Sequence, residues 1–352
     1  VREFLLVVPD LMLASGAART DAGAPGLRLR FGPATPLRGG WRSWLARRLA
    51  RPELDAASRA AVVAAAALPG PVPLPSMAGD GAWWLATPLH LVAGLDTLHL
   101  PRDGILALSP AERAELAADF SAALGGAGVS LHAVDGDALL LHAPDPGEVE
   151  TREPAACLGA DLVRAQPSGP GAAALRRLMA EIEMWLHDHP VNRRRERAGR
   201  RAVRSLWLWG GEAREPVARV GAAAAGATDG ASSRATDAVS GLRRIHSRDA
   251  WVRAAARLAA VELAPEGELP SSDDFGAPGT LLATAGLCEA EAPEFDEFEQ
   301  RHLRPAFVAL AAGRLDRIGL LSADRCVTAT AADRYRVWRP RRPWLTALGE
   351  QG

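Results

Sequence analysis

The chain has 352 residues, enough to bury a sizeable core as one large α/β domain or two smaller ones. Apolar residues make up 48% and charged residues 24%, the balance of a folded globular protein, and a formal net charge of −1 leaves no global field to attract nucleic acid or an anionic membrane. All 41 basic residues are arginine, so a pyridoxal-phosphate Schiff base, a P-loop lysine and a lysine general base are excluded.

The first apolar run, Phe4 to Val8, reads as a buried strand and is too short for a signal-peptide core. Trp41 to Arg51 and Asp55 to Leu68 read as helices, and the proline-rich stretch 69–76 as a linker. Ser109-Pro110-Ala111-Glu112 combines an N-cap, a first-turn proline and a capping-box glutamate, which predicts a helix over about 110–124. Val129 to Val134 and Ala138 to His142 flank Asp135-Gly136 as the arms of a hairpin. Leu175, Leu178, Met179, Ile182, Trp185 and Leu186 recur at helical spacing, so 172–188 reads as an amphipathic helix that Pro190 ends. A short Arg-rich turn or helix runs to Gly199, and Leu206 to Trp209 then forms an apolar strand whose end, Gly210-Gly211, reads as opening onto a crevice.

Residues 221–241 are small and polar and predict a long loop. Helix returns over Arg248 to Leu263, Thr280 to Ala285 reads as a strand, Phe295 to Ala312 as helix around Pro305, and Ile318 to Leu321 as a last short apolar run. Alternating helices and strands favour an α/β fold with a mixed, mainly parallel sheet flanked by helices and the 205–209 strand in its core. The expected organisation is a single domain over 1–352, with room for a sub-domain around 70–150. Cys157, Cys288 and Cys326 are odd in number and far apart, so no disulfide framework or paired-cysteine metal knuckle is written here. That pattern, with no run long enough to span a membrane, points to a cytoplasmic protein.

The segment HPVN-x-x-R at 189–195, the glycine at 199 and the strand SLWLWGG at 205–211 together resemble the RpfE-type regulatory proteins of proteobacteria. WLATPLH at 84–90, the helix beginning SPAERAEL and the end YRVWRPRRPW stand in that family's order. More distantly, the 189–211 segment resembles archaeal-type cofactor-independent phosphoglycerate mutases of the alkaline phosphatase superfamily. The resemblance implies an alkaline-phosphatase-like fold and a small phosphorylated ligand in a regulatory, non-catalytic role. Its alternative is a metal-dependent mutase or phosphatase with a serine nucleophile and two metal ions. The chain departs from the family at Arg204, where asparagine is usual, and at Glu212, where a third glycine is usual. It also carries Arg325 where the superfamily's Asp-His pair would place histidine, leaving Asp10 and Asp324 as remnants of ligand positions.

The candidate ligand site is His189, Asn192, Arg195, Trp207, Trp209, Gly210 and Gly211. In the functional reading, a helix N-terminus, a guanidinium fork and an imidazole receive an anion that the glycine pair lets approach the backbone. In the structural reading, Asn192 caps the Arg-rich helix, His189 satisfies a local carbonyl and the tryptophans fill the core. The arginines at 193–204 read as a solvated face rather than a nucleic-acid surface. The expected partner is a small anionic or phosphorylated ligand, with a protein partner open and no membrane; no cofactor is expected unless the metal-dependent alternative holds.

Overall fold

The computed structural model describes residues 1–9, 28–67, 81–94, 97–125, 128–211, 241–286, 295–336 and 342–343. Asp10, the 69–76 linker, residues 221–240 of the expected loop and most of the 338–344 end lie outside the described residues. Strands β1 (Arg2–Val7) and β2 (Thr35–Pro36) come first, followed by β3 (Ala82–Leu89), β4 (Ser130–Ala133), β5 (Leu139–Ala143) and β6 (Ser205–Trp209). The remaining principal strands are β7 (Leu242–His246), β8 (Glu262–Leu263), β9 (Gly279–Thr284), β10 (Arg317–Leu321) and β11 (Arg325–Thr330).

Where the sequence reading expects one domain, the contacts divide the chain into two compact units. One comprises Val1–Pro52, Asp229–Arg248 and Ala256–Gly352, and the other comprises Glu53–Thr228 and Asp249–Ala255. Such a division follows from the strand pairing, because β1 finds its neighbours more than 270 residues later, across the whole second unit.

The first unit is α/β, with helix α1 (Gly40–Arg48) and a seven-stranded sheet of order β8-β7-β9-β1-β10-β11-β2. Five strands, β8 through β10, are parallel, and β11 and β2 close one edge antiparallel. β1 is buried along nearly its whole length because both faces are covered: Phe4 and Leu6 point into one layer, Leu5 and Val7 into the other. Helix α8 (Arg304–Ala311) contributes Ala306, Phe307 and Leu310 to the core that holds Phe4, Leu6, Leu281 and Ile318.

Leading into α8 are a helical turn α7 (Phe295–Phe298) and a π-turn over Glu299–Leu303. Pro305 has no N–H, so the ladder there cannot run in ordinary α register, and the Arg304 N–H reaches back five residues to the Glu299 carbonyl. Helix α6 (Ala250–Leu258) is shorter than the sequence reading expects. Ala260 adopts left-handed geometry (φ 55°), which turns the chain into β8.

The second unit is an antiparallel sheet of order β4-β5-β3-β6. Helix α2 (Arg59–Ala67) packs on β3, α3 (Pro110–Leu124) on β4, and α4 (Ala172–His187) on β6. The capping box of α3 is formed in both directions between Ser109 and Glu112. β4 and β5 make the expected hairpin, with Ala133 opposite Leu139. β6 corrects one expectation: it is fully buried, yet it is the edge strand of this antiparallel sheet and not part of the mainly parallel one.

Candidate functional site

The 189–195 motif begins α5 (Pro190–Arg197) and works as an internal clasp. His189 caps the helix, its Nδ1 accepting the Val191 N–H at 3.2 Å, while its ring meets Trp185 edge-on at 4.7 Å. The capping residue is therefore the histidine, because Pro190 at the first helical position places residue 189 in extended geometry just ahead of it. Burial lowers the His189 pKa, against the raising influence of Asp119, whose carboxylate lies 3.3 Å from Nε2.

Asn192, 3% exposed, uses its amide in full: Nδ2 donates to the Leu186 and Val203 carbonyls and Oδ1 accepts the Val203 N–H, all at 2.8 Å. It thereby ties the end of α4 to the chain entering β6. Arg195, 4% exposed, donates from Nε to the Arg201 carbonyl at 2.7 Å and from Nη1 to Glu112 at 2.8 Å. Glu112 is the capping-box residue of α3, so the arginine locks α5 to the start of α3. The expected anion contacts of Asn192 and Arg195 are thus replaced by protein partners.

The other half of the predicted site is remote from the first. β6 stands between them, and five residues at roughly 3.3 Å each make about 16 Å of strand. Trp207 and Trp209 are core residues whose indole N–H groups donate to the Arg152 carbonyl and to Thr87 Oγ1. Gly210 (φ 71°) receives the Ala60 N–H on its carbonyl, and a Cβ on Gly211 would lie 2.4 Å from the Trp83 carbonyl oxygen. Backbone and ring, not a ligand, occupy the space that the glycines leave.

In the first unit the topology itself makes a cleft. From β7 the chain passes through α6 to β8 on one side, while from β9 it passes through α7, the π-turn and α8 to β10 on the far side of β1. Connections that leave in opposite directions open a crevice at the C-terminal ends of β7 and β9, the place where open α/β sheets put their ligands. A cleft lies there. Its walls come from residues 246–248 after β7, 267–269 after β8, 284–286 after β9, and from Glu297, Phe298, Arg301 and His302.

Chemically, the cleft combines two cations, two carboxylates, two imidazoles and two hydroxyls. Ser247 and Thr284 join the two strand ends through a hydroxyl pair at 2.5 Å. Arg248 lies against Gly267, whose lack of a Cβ at φ 83° leaves room for the guanidinium. Neither the Arg248 nor the Arg301 guanidinium makes a hydrogen bond or ion pair with the described residues, whereas Glu268 is 3.3 Å from Arg244. His302, on the π-turn, is held down to about 4 by burial and then by the Arg301 charge, so it is neutral at pH 7. Burial also lowers His246, partly offset by its hydrogen bond to the Glu268 carbonyl.

Nothing in the local sequence pattern singles out His246, His302, Arg248 or Arg301. The usable signal was two strands, LRRIHSR and TLLATAG, each with a hydroxyl residue at its C-terminal end, Ser247 and Thr284. Of the expected metal remnants, Asp324 is paired with Arg325 at 3.1 Å, and no group of three His, Cys, Asp or Glu gathers among the described residues. No described helix is long and apolar enough to cross a membrane.

No family model and no curated protein matches the chain. Among solved structures, the chain is similar to a cofactor-independent phosphoglycerate mutase from Thermoplasma acidophilum, with 10% identity over 100% of this chain and 96% of that one, at a TM-score of 0.37. It is also similar to the PH0037 protein from Pyrococcus horikoshii, with 11% identity over 94% of this chain and 87% of that one, at a TM-score of 0.39. The class defined by the strands themselves is α/β, with a mainly parallel sheet and a switch-point cleft.

Proposed function

We propose that the chain binds a small anionic or phosphorylated ligand in the cleft at the ends of β7 and β9, in a regulatory and non-catalytic role. One observation carries the reading: Arg248 and Arg301, whose guanidinium groups are unengaged by the described residues, line a switch-point cleft. This moves the anion site away from the 189–211 motif, whose polar groups already hold the second unit together. Resemblance of that motif to RpfE-type regulatory proteins supports the regulatory half, in which ligand-dependent contacts signal to a protein partner. The reading calls for no cofactor.

Calorimetric titration with inorganic phosphate and glycerol phosphate tests it. Arg301→Ala loses a charge-assisted hydrogen bond of about 1.5–3 kcal/mol, so affinity falls by roughly tenfold or more, and Arg248→Ala with Arg301→Ala removes binding. Unchanged affinity in the double variant would place the anion elsewhere. Phosphorus NMR of the glycerol phosphate after long incubation shows the ester intact, whereas turnover would replace the regulatory role by an enzymatic one.

A further inference from the structure

His246 is 2% exposed, and its Nδ1 lies 3.1 Å from the Glu268 backbone carbonyl. A carbonyl oxygen only accepts, so Nδ1 carries the proton and Nε2 presents a bare lone pair. That Nε2 is buried without a hydrogen-bond partner, and His246 lines the cleft. A buried acceptor left unpaired is costly, and a ligand that brings a donor relieves that cost while one that presents only lone pairs does not. The cationic lining does not make this distinction, because Arg248 and Arg301 attract any anion and share the cleft walls with Glu268 and Glu297. Selection therefore rests on directed hydrogen bonds more than on net field.

Resting on the anion-cleft reading above, we infer that His246 Nε2 makes the cleft selective for anions that carry their own O–H donor, such as a protonated phosphate oxygen. The two guanidinium groups hold the charged oxygens and the imidazole lone pair receives the proton-bearing one. Hydrogen phosphate and sulfate are the discriminating pair, since they share tetrahedral shape and similar charge at pH 7 and only phosphate has a proton to donate.

The experiment is parallel calorimetry of phosphate and sulfate on the full chain, with nitrogen NMR of the histidine side chains. Phosphate is expected to bind tighter by roughly tenfold or more. In His246→Phe that ratio falls towards one. In the unsubstituted protein, free His246 shows the Nδ1–H tautomer, and its Nε2 resonance moves on addition of phosphate and stays in place with sulfate, a readout that does not depend on the variant folding. Equal affinities for the two anions, or an Nε2–H tautomer in the free protein, would overturn the role of His246 and leave the anion cleft standing. Binding of neither anion would overturn both.

Discussion

Arg195→Ala separates the clasp from a ligand site. Arg195 is 4% exposed and its partner Glu112 nearly buried, so truncation leaves a carboxylate without its main counter-charge and the Arg201 carbonyl without its donor. Removing one member of a buried pair costs about 3–5 kcal/mol. Arg200, 3.6 Å from the same Glu112 oxygen, takes over part of the compensation, which places the expected loss at the lower end, about 3 kcal/mol. In a unit of this size each kcal/mol lowers Tm by roughly 2–4 °C. Urea titration followed by tryptophan fluorescence reads the change, because Trp84, Trp185, Trp207 and Trp209 all lie in the second unit. Phosphate affinity should not move. A variant that keeps its stability to within about 1 kcal/mol while losing phosphate binding would refute the clasp and return the motif to the role read from the sequence.

Gly211→Ala should destabilise the second unit by about 1–3 kcal/mol in the same titration, since its Cβ would lie 2.4 Å from the Trp83 carbonyl and 2.6 Å from the Trp84 ring. Stability should also fall on acidification, because His189, His246 and His302 all have folded pKa values below the unfolded value of about 6.5. The unfolded chain binds the extra protons, so this stabilisation is complete above about pH 6.5 and lost as pH falls towards about 4 for His302. For the partly exposed His302 the contribution is at most about 3 kcal/mol, and denaturant titrations from pH 7 to pH 4.5 should show a shallower slope in His302→Leu. A slope equal to that of the unsubstituted protein would remove His302 from the account.

Local chemistry was legible in the sequence wherever the determining groups are neighbours. The capping box at Ser109 and Glu112, the helix stop at Pro190, the left-handed Gly199 and the hairpin around Gly136 all depend on contacts a few residues apart. The amphipathic spacing of Leu175, Met179, Ile182 and Leu186 likewise fixed which face of α4 is buried. Tertiary structure alone decided what those elements serve. Arg195 meets Glu112 across 83 residues and Asn192 meets Val203 across 11, and nothing in HPVN-x-x-R distinguishes a fork aimed at a ligand from one aimed at a carboxylate within the fold. The cleft is still less local. It exists because β7 and β9 pair side by side while their connections leave in opposite directions, so a histidine, two arginines and a hydroxyl pair that look scattered along the chain converge at one end of the sheet. Hydrophobic periodicity carries no record of strand order, and strand order is what makes the cleft.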